Sequence, residues 1–387
     1  MKLLLYVHTW APSVGGVETI NMVLARGLAE WTGGHRAEQV AVTLVTQTPA
    51  YGMDDSALPF RVVRCPGLGQ LVRLIREADL LHMAGPTLLP SAIAWLMRKP
   101  AVIEHHGFQS ICPNGQLLYE PTQSPCPGHF MARRYGECIR CNSKLGKLVS
   151  VKMWMLTFPR RWLSQHVSAN IVPTSWLGSL LQLNRTRTIH HGLPLRESPL
   201  ASRVTSARPT FVFLGRLVST KGARLLIEAA GILKDKHREF QIKIIGDGPE
   251  RQELEELVRE LDVQCHVRFL GYIPSEGLRE VIEEAIAVIM PSLGGEVFGL
   301  VAAENMQKGK LVIASSIGAL SEVLGDAGMT FTTGDAQDLA RCMLSIIEEP
   351  SRADVIGQKA IRRIAQFFGA DQMVREHTGV YREICGR

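Results

Sequence analysis

Short runs of aliphatic and β-branched residues alternate along this chain with longer stretches whose apolar positions recur every three or four residues. The first pattern marks strands buried on both faces, and the second marks amphipathic helices packed over them. In the first half, strands are predicted at residues 3–7, 40–45, 60–64, 79–82, 101–104 and 169–172, with a helix at 17–30. The second half repeats the theme with strands at 210–214, 241–245, 267–270, 287–290 and 311–314, and helices at 222–234 and 249–261. This alternation predicts an α/β fold of two parallel sheets, each covered by helices on both faces. Ligands of such sheets bind beyond the carboxyl ends of the strands, so two sheets facing each other would trap a ligand in a cleft. The polar stretch 199–209 reads as the linker between the halves.

Length and composition agree with that division. The 387 residues are too many for one ordinary core and suit two domains. With 46% hydrophobic and 21% charged residues the chain has a globular composition. No apolar run reaches the roughly 18 residues needed to span a bilayer. The opening Met1-Lys-Leu-Leu-Leu mimics a signal peptide, but His8 and Pro12 follow too soon, so it is read as a core strand. A cytoplasmic location is therefore expected, with peripheral contact at the inner face of a membrane as an added option.

Charge is unevenly spread. Residues 1–200 carry 20 Lys/Arg against 11 Asp/Glu, a net of +9, whereas residues 201–387 carry a net of −3. The basic half either faces an anionic partner or surface, or is simply unevenly solvated. The basic residues form no concentrated patch with a recognised nucleic-acid module, so nucleic acid is not expected as a partner.

Candidate chemistry gathers at the ends of the predicted strands. The sharpest signal is Pro291-Ser-Leu-Gly-Gly-Glu296-Val-Phe-Gly-Leu-Val-Ala-Ala-Glu304, which follows the strand at 287–290. A helix expected to open near Phe298 would aim the backbone N–H groups of Phe298, Gly299 and Leu300 outward at its positive end, an anion cradle. Glu296 and Glu304 would flank that cradle with carboxylates able to grip hydroxyl groups. A diphosphate with a sugar on one side and a ribose on the other suits the arrangement. After the strand at 210–214 come Arg216 and Lys221, two cations placed to neutralise a departing diphosphate. After the first strand, Gly15 and Gly16 open a helix where backbone can approach a phosphate.

Together these motifs resemble the family 4 glycosyltransferases of GT-B fold. The residues that carry the resemblance are Gly15-Gly16-Val-Glu18, Gly215-Arg216 with Lys221-Gly222, Gly246-Asp-Gly-Pro249, Gly271-Tyr-Ile273 and Glu296 to Glu304, in the family's order across nearly the whole chain. The resemblance implies two Rossmann-like domains facing each other across a cleft. Residues 1–198 would bind the acceptor and include a Cys-rich insertion at 107–145. Residues 210–369 would bind the nucleotide-sugar, and 370–387 would form a helix crossing back to the first domain. It further implies that Arg216 and Lys221 bind the diphosphate, Glu304 the ribose and Glu296 the donor sugar. Gly16 would offer its N–H to the distal phosphate, with Gly15 beside it. Phe298, Gly299 and Leu300 would supply N–H groups around sugar and phosphates, and the backbone at Ile273 would meet the base. UDP is favoured over GDP on the same ground.

His106, at the end of the strand 101–104, occupies the place of the family's strand-end His, six residues before Cys112. The Asp that usually follows is Gly107 here, and His191-Gly192 replaces the usual Asn-Gly. His106, Arg216, Lys221 and Glu296 are the expected catalytic set. The chain contains no Asp-x-Asp, so the usual carboxylate grip on a catalytic divalent ion is missing. No catalytic metal is expected, and leaving-group charge would be met by fixed cations and helix N-termini. The resemblance implies retention of configuration. The expected reaction is transfer of a sugar from a nucleotide-diphosphate donor to an acceptor hydroxyl, in polysaccharide, glycolipid or other glycoconjugate synthesis. The rivals are a nucleotide-sugar 2-epimerase-like isomerase of the same fold and a non-catalytic nucleotide-sugar-binding protein. The acceptor is a sugar, a lipid-linked molecule or a small molecule.

Two further features stand apart from donor chemistry. Cys112, Cys126, Cys138 and Cys141 cluster in the Pro/Gly-rich insertion, where they could hold a structural zinc, remain reduced thiols or form disulfides. Residues 144–166 mix Lys147, Lys152, Arg160 and Arg161 with Trp154, Met155, Phe158 and Trp162, as either an anionic-membrane contact or a core-packed helix.

Overall fold

The computed structural model describes residues 1–13, 15–30, 40–194, 208–236 and 239–386. It divides into two compact units, the first comprising Met1–Gly115, Gly128–Pro194 and Phe368–Arg387, the second Gln116–Pro127 and Leu195–Phe367. Most of the expected linker, 199–207, lies outside the described residues.

The first unit is built on a seven-stranded sheet. Its strands are β1 (Lys2–Tyr6), β2 (Ala41–Thr46), β3 (Arg61–Arg64), β4 (Leu80–Ala84), β5 (Ala101–Glu104), β8 (Ala169–Val172) and β9 (Thr186–Thr188), ordered β3-β2-β1-β4-β5-β8-β9 with every pair parallel. The intervening β6 (Leu118–Tyr119) and β7 (Ser124–Pro125) form an antiparallel hairpin within the second unit. β1 lies between β2 and β4, and Leu3, Leu4 and Leu5 are all buried, as expected of a strand covered on both faces. Leu4, Tyr6, Leu81, Met83 and Ile103 pack with Leu71, Leu74 and Ile75 of the helix Leu68–Glu77. The terminal helix Ala370–Cys385 belongs to this unit, where Met373, Val374, His377 and Tyr381 are buried.

The second unit carries a six-stranded parallel sheet of β10 (Thr210–Leu214), β11 (Gln241–Ile245), β12 (Val267–Gly271), β13 (Ala287–Met290), β14 (Leu311–Ser315) and β15 (Met329–Phe331), ordered β12-β11-β10-β13-β14-β15. Phe211, Phe213, Ile242 and Ile244 meet Leu226, Ala230 and Leu233 of the helix Ala223–Lys234 in its main core. Each such Phe, Ile or Leu side chain, fully buried, contributes roughly 1.5–3 kcal/mol.

The structure revises several expected boundaries. β9, β15 and the β6–β7 hairpin were not anticipated. Residues 116–127, placed by the sequence in an insertion of the first domain, group with the second unit. The helix expected near Phe298 begins at Leu300, with Gly299 as its N-cap at φ +92°. That backbone conformation is costly for residues with a Cβ and ends any helix started earlier.

Candidate active site

In the second unit, the loops after the neighbouring strands β10 and β13 are joined through their backbones. The Thr220 carbonyl accepts N–H bonds from Leu293 at 2.8 Å and Gly294 at 3.3 Å. Gly222, at φ +67°, makes this possible: a Cβ there would lie 1.9 Å from the Pro291 carbonyl oxygen. The stitch brings Lys221 to Glu296. Lys221 Nζ donates to Glu296 Oε1, and Ser292 Oγ donates to the same oxygen at 3.1 Å. Glu296 is only 7% exposed, whereas Lys221 is about a third exposed along its side chain. A nearly buried carboxylate thus orients an accessible ammonium.

Arg216 follows β10, is exposed and makes no ion pair among the described residues. The loop carrying it is held by Leu217, whose N–H donates to the Asp247 carbonyl at 2.9 Å and whose carbonyl accepts from Glu250 N–H at 3.2 Å. That contact gives the turn at Gly246-Asp-Gly-Pro249 a supporting task. In the helix Leu300–Gln307 the bond from Ala303 N–H to the Gly299 carbonyl, 3.1 Å, closes the first turn. The N–H groups of Leu300 to Ala302 stand ahead of it at the positive end. Phe298 is buried, and Glu304 is half-buried one turn into the helix. Ile273, beyond β12, is half-buried against Val212, Ile245 and Ala285.

In the first unit, Gly16 starts the helix Gly16–Glu30, and Gly15 accepts both the backbone N–H and the hydroxyl of Thr19, at 3.0 and 2.9 Å. His106 and His105 are sorted clearly. His105 turns to Asn170, with 2.8 Å between Nε2 and Oδ1, while His106 Nε2 lies 3.8 Å from Glu104 Oε2 and 3.5 Å from Asn21 Nδ2. Burial pushes the His106 imidazole down to about 3 and that of His105 to about 4.

Glu104 is the centre of a group that sequence reasoning missed. The carboxylate is fully buried and faces His82, His106, His191 and His377. Burial, the largest influence, pushes its pKa up, but the His106, His377 and His191 rings around it outweigh burial and hold the carboxyl well below the usual range. Glu104 and His106 are separated only by His105 in sequence, but His82, His191 and His377 come from distant elements with no spacing signal. Among the described residues, the groups of three or more side chains with metal-ligand spacing are built on Glu104 and these histidines. The four clustered cysteines form no such group. Cys112 Sγ lies 3.0 Å from Asn114 Oδ1, and Cys141 Sγ lies 4.0 Å from Asn114 Nδ2.

With this geometry in hand, similarity to known proteins becomes informative. Over 99% of this chain and 100% of the other, the structure superposes on HepE from Anabaena, solved in complex with UDP, with a TM-score of 0.72 at 19% identity. The fold is GT-B. Residues 199–363, which hold the Lys221–Glu296 pair and the helix Leu300–Gln307 of this GT-B chain, match the family model for glycosyl transferases group 1. The 2-deoxystreptamine glucosyltransferase of Streptomyces kanamyceticus is 28% identical over 183 residues, 46% of each chain. The phosphatidyl-myo-inositol mannosyltransferase of Mycolicibacterium smegmatis is 34% identical over 156 residues, 40% of each. The GT-B chain thus aligns with about half the length of the curated relatives it matches.

Proposed function

We propose that this chain is a retaining glycosyltransferase of the family 4 type, moving a sugar from a nucleotide-diphosphate donor, UDP before GDP, to an acceptor hydroxyl. The Lys221–Glu296–Ser292 constellation carries the reading, because it holds a cation and a hydroxyl-gripping carboxylate at the ends of adjacent parallel strands. Lys221 and Arg216 neutralise the diphosphate as it leaves, with the N–H groups of Phe298, Gly299 and Leu300 around sugar and phosphates. Glu304 holds the ribose, Glu296 the donor sugar, and the backbone at Ile273 meets the base. Gly15, Gly16 and His106 keep the donor and catalytic roles implied by the resemblance. Fixed cations supply the neutralisation elsewhere given by a divalent ion, so transfer proceeds in chelator. The departing phosphate takes the acceptor proton during same-face attack, and an inverted product anomer by NMR would remove that mechanism.

Calorimetric titration of UDP, GDP, UDP-glucose and GDP-mannose in the presence of chelator tests the donor assignment. One nucleotide pair is expected to bind, and Glu304→Gln is expected to weaken it about 10–100-fold, the loss of a charge-assisted hydrogen bond worth about 1.5–3 kcal/mol. Equal affinity in wild type and variant would remove Glu304 from the site. Incubation with donor alone separates transfer from epimerisation.

The helix Lys147–Gln165 supports a second element, peripheral contact with an anionic membrane and hence a lipid-linked acceptor. Its buried side chains are mostly small and polar, Ser150, Thr157 and Ser164 with Leu163, whereas Leu148 is 88% exposed and Met155, Phe158 and Trp162 also face outward. Trp162 stacks edge-on with exposed Trp95 at 5.1 Å. No helix of the described residues is long and apolar enough to cross a membrane. Vesicles containing phosphatidylserine should sediment the protein, and Leu148→Asp with Trp162→Glu should abolish it. Equal sedimentation of the double variant would leave only a solvent-exposed helix.

A further inference from the structure

The Glu104 cluster has more ligand atoms than hydrogen bonds to occupy them. Both carboxylate oxygens of Glu104, Nε2 of His82 and Nε2 of His377 are buried without a hydrogen-bond partner of good geometry. Such atoms are costly unless something occupies the space they face. The Met373 carbonyl fixes one outer nitrogen. His377 Nδ1 lies 2.8 Å from the Met373 carbonyl, which can only accept, so Nδ1 carries the proton and the neutral ring presents a lone pair at Nε2. His82 Nδ1 lies 2.5 Å from the Tyr381 hydroxyl, which can accept its proton in the same way. With His82 in that tautomer, two imidazole lone pairs converge on one carboxylate oxygen, an arrangement that repels itself unless a cation lies between them.

We propose that His82 Nε2, Glu104 Oε2 and His377 Nε2 form a buried site for a divalent transition-metal ion of the zinc type. Zinc bonded at about 2.0–2.1 Å in a tetrahedron sets its ligand atoms about 3.3 Å apart. Here Glu104 Oε2 lies 3.1 Å from His82 Nε2 and 3.4 Å from His377 Nε2. His106 Nε2, 3.8 Å from the same oxygen, groups instead with His191 and stays outside this ligand set. The Met373 carbonyl and Tyr381 hydroxyl provide the outer hydrogen bonds that orient metal-bound histidines. The donor set of nitrogen and oxygen suits zinc, and all three ligands are fully buried, so the ion enters as the first unit folds. The site joins β4, β5 and the terminal helix and is independent of the proposed donor chemistry. An ion enclosed there survives the chelator of a transferase assay.

The test is zinc content of the full-length chain, refolded with zinc and dialysed against chelator, by mass spectrometry of the metal. A single tightly held zinc is expected, lost in His377→Gln and retained in the double variant Cys138→Ser, Cys141→Ser. Cobalt substitution should give a tetrahedral spectrum without thiolate charge-transfer bands. If His377→Gln does not fold, Tyr381→Phe keeps every ligand and should weaken zinc about 10–100-fold. Absence of stoichiometric zinc in the wild type overturns the proposal and leaves the cluster holding protons alone. Loss of zinc in the cysteine variant with retention in His377→Gln or undiminished affinity in Tyr381→Phe overturns it equally.

Discussion

Glu296→Gln should lower kcat/KM for transfer about 100-fold, an effect of about 2.7 kcal/mol at 1.36 kcal/mol per tenfold. The substitution is nearly isosteric and keeps one hydrogen-bonding oxygen, so packing changes little. It removes the negative charge that holds Lys221 Nζ, and it replaces an acceptor with an amide that Ser292 Oγ and Lys221 address less well. In the proposed reaction the carboxylate grips the donor sugar and aims the ammonium at the leaving diphosphate. Most of the loss should therefore fall on kcat, since an interaction that strengthens as charge develops is felt beyond ground-state binding. The thermal midpoint serves as the control, because Glu296 lies in a loop rather than in the sheet core. Unaltered kcat/KM with an unaltered midpoint would remove this pair from the reaction.

Gly222→Ala should destabilise the second unit by about 3 kcal/mol or more, a size reserved for substitutions that force backbone apart. The new Cβ would meet the Pro291 carbonyl oxygen at 1.9 Å, and neither atom belongs to a side chain that can rotate away. Positive φ adds about 1 kcal/mol of its own. Relief requires the loop after β10 to part from the loop after β13, breaking the two bonds to the Thr220 carbonyl and drawing Lys221 off Glu296. Denaturant unfolding should show the loss in the second unit, with UDP affinity falling alongside it. Wild-type stability for this variant would mean that the two loops are not joined as described.

The strands were legible where apolar runs are long and fully buried: 101–104, 169–172, 210–214, 241–245 and 287–290 match their observed bounds. The short β9, β15 and the two-residue strands β6 and β7 were not, because two or three residues carry no periodicity. Helix onset at 300 was missed because Phe298 and Leu300 both look helical, while the positive φ of Gly299 between them is set by the fold. In the site, the order of loops was readable from residues at strand ends, and Lys221, Glu296 and Arg216 all come from such loops. What was not readable is that Ser292 and Lys221 share one oxygen of Glu296, or that Glu104 is ringed by histidines from elements up to nearly three hundred residues away. Those contacts are products of chain crossing, and local pattern does not record them.

That crossing also sets an order of events during synthesis. Tyr381 and His377 are fully buried in the first unit, and Gly27 lets Val374 approach so closely that a Cβ there would collide with it. The groove that receives the helix Ala370–Cys385 is therefore made before the second unit and filled after it. While the ribosome translates the second unit, the first waits with an apolar seam open to water, a period in which it is vulnerable to aggregation and a natural client for a chaperone. Completion of the first unit depends on residues made only after the whole of the second.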